Sequence, residues 1–167
     1  MKRLLLLFIF FVLSQGVFAA EKPNIVFILA DDMGYMDLGC YGSDLYNTPN
    51  LDRLASQGTR FTQMRTAAHV CSPTRASILT GKYPARVRLT DWLTGHQKPF
   101  ARLLVPDWTK GLPQSETTIA EVLKSQGYAT AWLGKWHAGE GARDHGFDAG
   151  NQDWEHNRKD DPKDPKG

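Results

Sequence analysis

Three stretches of the 167-residue chain carry side chains of the types that do chemistry. Asp31 and Asp32 follow an apolar run, Asn24 to Leu29. Adjacent carboxylates repel one another unless a cation lies between them, and hard oxygen donors suit calcium or magnesium rather than zinc. The same pair would also serve as a solvated acidic turn. Cys71 stands at the start of a helix opened by Ser72-Pro73, where the helix dipole and free amides favour negative charge. Arg75 lies four residues on, a spacing that turns its guanidinium back beside Cys71. A capped helix with a buried thiol and a surface arginine is the plainer alternative. In Gly134-Lys135-Trp136-His137, an extended backbone would aim Lys135 and His137 to one side and Trp136 to the other. The Gly-Lys pair is not a phosphate-binding loop, because the glycine spacing is wrong and Trp136 stands where Ser or Thr is required.

These residues need elements to hold them. The run Asn24 to Leu29 predicts a strand buried on both faces of a parallel sheet, with Asp31 and Asp32 at its carboxyl end, where open α/β sheets place ligands. Thr48-Pro49 opens a helix with Leu51, Leu54 and Ala55 as its apolar face and Gly58 as its stop. A short strand is expected from Thr59 to Met64. The second helix runs from Ser72-Pro73 through Ala76, Ile78 and Leu79 to Gly81, and a third from about Thr117 to Ser125, with Ile119, Val122 and Leu123 on one side and Gly127 as its stop. Tyr128 to Leu133 reads as another strand. Strands alternating with helices imply an α/β fold with a largely parallel sheet flanked by helices. Between them, Lys82 to Gln114 holds four prolines and shows no sustained period, as functional or mobile connections do.

Residues 1–19 read as a secretory signal peptide: Lys2 and Arg3, then an apolar run from Leu4 to Leu13, then small residues ending at Ala19. An uncleaved anchor is the rival, but that run is about half the roughly 20 residues a bilayer crossing needs. Cleavage leaves basic and acidic residues equal in number, which gives no electrostatic case for nucleic acid or an anionic membrane. An exported, periplasmic or secreted product with no membrane attachment follows as the expectation. In such a compartment Cys40 and Cys71 would ordinarily pair. Residues 20–150 are expected to form the catalytic part. Residues 151–167 read as a solvated tail, because Asp153 to Gly167 mixes acids, bases and two prolines with nothing to bury.

Taken in order, these motifs resemble the sulfatase family. The likeness lies in Asp31-Asp32, in the C-x-P-x-R and L-T-G signature from Cys71 to Gly81, and in G-Y-x-T-x-x-x-G-K-x-H from Gly127 to His137. Thr48 to Ala55 and His145-Gly146-Phe147-Asp148 add to it. The resemblance implies an alkaline-phosphatase-like α/β fold and a calcium-dependent hydrolase of sulfate esters. It implies that a maturation enzyme oxidises Cys71 to formylglycine, whose hydrate attacks sulfur and then expels sulfate. By the same likeness Asp31, Asp32 and the modified Cys71 would bind calcium, magnesium being the lesser alternative. Arg75 would hold the ionised diol, Lys135 the sulfate, and His137 would orient or deprotonate the diol. These roles make a bridge from Cys40 to Cys71 improbable.

Family members are several times longer, and their remaining part carries an Asp-Asn metal pair, a further histidine and a lysine. The chain as given therefore reads as a truncated, N-terminal portion with a half-built site and little activity alone. A related metal-dependent phosphatase or phosphonate hydrolase is the second reading, and an inactive secreted fragment the third. The sulfate ester itself is not legible.

Overall fold

The computed structural model describes residues 22–93, 95, 100 and 102–150. The expected signal peptide and charged tail lie outside the described residues, as does part of the proline-rich connection. Among the described residues no helix is long and apolar enough to cross a membrane.

Helix α1, Pro49–Gln57, has proline in its first turn and ends at Gly58, as its punctuation predicts. Helix α2, Cys71–Thr80, begins one residue earlier than expected, after an extended Val70. It closes on Gly81, whose φ of +67° is the left-handed conformation that lets its N–H reach the Ser77 carbonyl. A single turn, α3, follows over Pro84–Val87. Helix α4, Ile119–Ser125, carries a full capping box: Thr118 Oγ1 accepts from Glu121 N while Glu121 accepts from Thr118 N. Strands β1, Ala131–Trp132, and β2, Ala149–Gly150, pair in parallel, with Ala131 opposite Ala149.

The core lies where α2 and α3 meet the segment after β1. Ala76 and Leu79 of α2 and Val87 of α3 pack with Leu89, Leu112, Trp136, Ala138 and Ala142, flanked by Leu93, Trp108, Trp132 and Phe147. Trp136 is central: it lies edge-on to Trp132 and Phe147, and stacks on the buried His145 at 5.6 Å.

The segment His145-Gly146-Phe147-Asp148 clamps these parts together. The His145 carbonyl accepts from the buried Thr118 hydroxyl, and Gly146 turns at φ +91° so close to α4 that a Cβ there would lie 3.1 Å from Glu121 N. The Asp148 carboxylate accepts from the backbone and side chain of Thr130 and pairs with Lys124. Lys124 and Thr130 together hold that carboxyl below its usual range.

A parallel pair flanked by helices agrees with the α/β expectation, but the strands are shorter than predicted. Residues 24–29 form no strand, and Ile25, Val26, Phe27 and Ile28 are exposed. A strand buried on both faces exists only through its ladder partners, and the sheet of the described residues is β1 and β2 alone. Residues 59–64 form none either: the Cys40 carbonyl accepts from Arg60, and the Phe61 carbonyl is taken by the Tyr41 hydroxyl. The strand expected over residues 128–133 contracts to two residues. In α4 the buried residue is Ala120, while Ile119 and Val122, expected inward, are half exposed.

Candidate active site

The backbone does unusual things where the two aspartates stand. In an extended chain consecutive side chains point to opposite faces. Asp32 instead has φ +58°, a left-handed conformation that non-glycine residues adopt at a cost. With that turn, a carboxylate oxygen of Asp31, one of Asp32 and Cys71 Sγ all lie within 4.8 Å of one another. The sequence foresees these three together. It does not foresee the means, since no strand end aims Asp31; salt bridges do.

The first comes from Lys135. Its Nζ bonds Asp31 Oδ2 at 2.5 Å and Cys71 Sγ at 3.4 Å. The second comes from Arg75, nearly buried, whose Nη2 lies 3.3 Å from Asp31 Oδ1. The other arm of the guanidinium bonds the Lys135 carbonyl, which also accepts from Trp132 Nε1 at 3.2 Å. Arg75 thus fixes Asp31 and the backbone of Lys135 with one planar fork. Its bonds go to these two partners, and the Asp31 that it holds lies in the cluster with Cys71. The hydrogen bond from Lys135, assisted by Arg75, holds the Asp31 carboxyl below its ordinary value, and Asp31 in turn raises Lys135.

Gly134 at φ +93° and His137 at φ +49° break the extended run on which the expected shared direction of Lys135 and His137 rests. His137 Nε2 lies 2.7 Å from the Leu93 carbonyl, and its ring is edge-on to Trp92. Its Nδ1 is buried and has no hydrogen-bond partner among the described residues. Leu93 is itself tied to helix α2, since its N–H donates to the Oγ of the fully buried Ser72 at 3.0 Å. Sequence reasoning missed Ser72 and Leu93. Ser72 sits inside the signature as a variable position, and a backbone carbonyl leaves no trace in side-chain identity. Cys40 and Cys71 are both free thiols. Cys40 is instead held in a separate network, its N–H donating to Asp52 Oδ1 of α1.

The donor set tests which cation would fit. Two carboxylates are hard donors suited to calcium, whereas the Cys71 sulfur is soft and ill matched to it. An oxygen at position 71 would make all three donors hard. The cluster therefore fits calcium once the sulfur is exchanged for oxygen.

The sulfatase family model matches residues 23–166. Human arylsulfatase A is 46% identical over 129 residues, which are 77% of this chain and 24% of the relative. Human steryl-sulfatase is 44% identical over 133 residues, 80% of this chain and 22% of its own length. The chain thus spans about a quarter of the length of these curated relatives. Among solved structures, that of Ps i-CgsB superposes with a TM-score of 0.65 at 36% identity, over 78% of this chain and 28% of that one. A structure from work on the metabolism of multiple glycosaminoglycans by Bacteroides thetaiotaomicron gives 0.63 at 34%, with the same coverage. The two signatures, the fold of the segment that carries them and these likenesses lead to one conclusion: the chain belongs to the sulfatase family and holds part of its alkaline-phosphatase-like α/β fold.

Proposed function

We propose that this chain carries the nucleophile side of a sulfate-ester hydrolase, with Cys71 oxidised to formylglycine by a maturation enzyme. The observation that carries the reading is the gathering of Asp31, Asp32 and Cys71 within 4.8 Å, with Lys135 Nζ bonded to two of them. Asp31, Asp32 and the oxygen at position 71 would hold calcium, which when bound polarises a sulfate oxygen and stabilises charge on the nucleophile.

The chain's own residues then act as follows. Cys71 supplies the reacting atom from the first turn of α2, where the dipole favours an anion. Lys135 presents a full positive charge at the same point and neutralises an incoming sulfate oxygen. Arg75 acts by holding Asp31 and the Lys135 backbone in place, so that neither has to reorganise when charge develops. His137 takes up the proton released at position 71. Three ligands fall short of the six to eight that calcium prefers, so strong metal binding requires donors beyond these residues. Export through residues 1–19 and a sulfate ester of unspecified alcohol complete the reading.

Hydrolysis of an aryl sulfate and calcium binding by titration calorimetry test it on the protein from its native producer. The expected result is calcium-dependent sulfate release, with Asp31→Asn weakening calcium binding at least tenfold through loss of a charged ligand. Release of phosphate from an aryl phosphate in preference to sulfate would favour the phosphatase reading. Calcium binding untouched by Asp31→Asn would sink both.

A further inference from the structure

We infer that Ser72 and the Leu93 carbonyl are positioning groups that decide which nitrogen of His137 accepts a proton, an inference that rests on the hydrolase reading of this site. A carbonyl oxygen has no proton to give, so the 2.7 Å contact between His137 Nε2 and Leu93 O requires the proton on Nε2. Nδ1 is then the ring atom with a free lone pair, and it is buried and unpartnered among the described residues. Any proton that the ring accepts enters at Nδ1. The product is an imidazolium whose Nε2–H stays on the Leu93 carbonyl, so the ring does not have to turn.

The carbonyl is fixed from two directions. The Leu93 side chain packs against the core, and its N–H donates to Ser72 Oγ at 3.0 Å. Ser72 is fully buried and adjoins Cys71, so the acceptor that orients the imidazole is carried by the same helical turn as the nucleophile. Displacement of one carries the other with it. His137 meanwhile sits at φ +49°, a conformation that persists only when its surroundings over-determine it. The bond to Leu93 and the edge contact with Trp92 supply that constraint.

The test is nitrogen NMR of the full-length protein from its native producer, carrying ¹⁵N-histidine and assigned with His137→Gln. In the unsubstituted protein His137 should show a protonated Nε2 and an unprotonated Nδ1. Ser72→Ala should mix the two tautomers and lower kcat on an aryl sulfate about tenfold, a part of what a positioned base contributes, with KM nearly unchanged. Ser72→Thr, which keeps the hydroxyl, should restore both. Rates are normalised to the aldehyde fraction at position 71, read by mass, because Ser72 lies within the maturation signature. A proton on Nδ1 in the unsubstituted protein, or an unchanged tautomer in Ser72→Ala, overturns the inference. The tautomer is read without turnover, so an inactive protein with the expected tautomer refutes the hydrolase reading and leaves this assignment supported.

Discussion

Helices α1 and α2 are of similar length and have opposite fates. α1 has a clear apolar stripe in Leu51, Leu54 and Ala55, yet none of its residues is buried. α2 has no stripe, yet Ser72, Pro73, Arg75, Ala76, Ser77 and Leu79 are all buried. An amphipathic pattern expresses a demand for cover on one face. α2 is covered on most of its surface, by α3 on one side and by the segment carrying Lys135, Trp136 and Ala138 on another, with Cys71, Thr74, Ile78 and Thr80 partly exposed. What encloses it is the machinery of the site: Ser72 and Arg75 are inside with partners there, Ser72 on Leu93 and Arg75 on Asp31 and Lys135, while Ser77 Oγ is buried with no hydrogen-bond partner among the described residues. Burial here follows the site rather than the hydrophobic pattern.

The contrast is broken most sharply by truncating one leucine in each helix. Leu79→Ala, in a fully buried position of α2, should destabilise the protein by about 2–5 kcal/mol in denaturant titration. Leu51→Ala on the uncovered stripe of α1 should stay within about 0.5 kcal/mol, as exposed substitutions do. A larger loss at Leu51 would mean that the α1 stripe is covered in solution.

Gly146→Ala comes next. It forces a side chain onto a left-handed backbone and into contact with Glu121, and should cost about 1–3 kcal/mol, read as a lowered Tm. Thr118→Ala removes both the cap of α4 and the bond to the His145 carbonyl, for about 1–2 kcal/mol by the same measurement. Equal Tm values for Thr118→Ala and the unsubstituted protein would remove the clamp from the account.

The smallest effect is a pH dependence. Burial lowers the pKa of His145, against the opposing pull of Asp144, Glu140 and Glu121. The unfolded chain therefore binds a proton more readily than the folded one just below about pH 6.5. Stability from this residue is present above that pH and declines as pH falls through the lowered folded value. Denaturant midpoints should drop across that window, and His145→Gln should flatten the slope.

The ends of α1 and α2 were legible to within a residue or two because they depend on local punctuation, Pro49 and Gly58, Pro73 and Gly81; the capping box of Thr118 and Glu121 that opens α4 was not read from the sequence. The strands were not legible, because pairing is a property of partners elsewhere in the chain; the Phe61 carbonyl goes to the Tyr41 hydroxyl instead, and the Arg60 side chain to the Cys40 carbonyl. Asp31, Asp32, Cys71 and Lys135 were legible as chemistry. Their meeting, across 104 positions between Lys135 and Asp31, was legible only through likeness to a family. The turning of His137 toward Leu93 was hidden, since it depends on two positive-φ residues and a main-chain acceptor.

That Cys71 is the precursor of an oxygen nucleophile is the step on which the proposed chemistry turns. It is tested most directly by the mass of the tryptic peptide from Thr66 to Arg75, isolated from the native producer, in which Cys71 is the only cysteine. The predicted result is an aldehyde at position 71, with sulfur lost and one oxygen gained. An unaltered thiol there, or a disulfide joining it to Cys40, would contradict the claim.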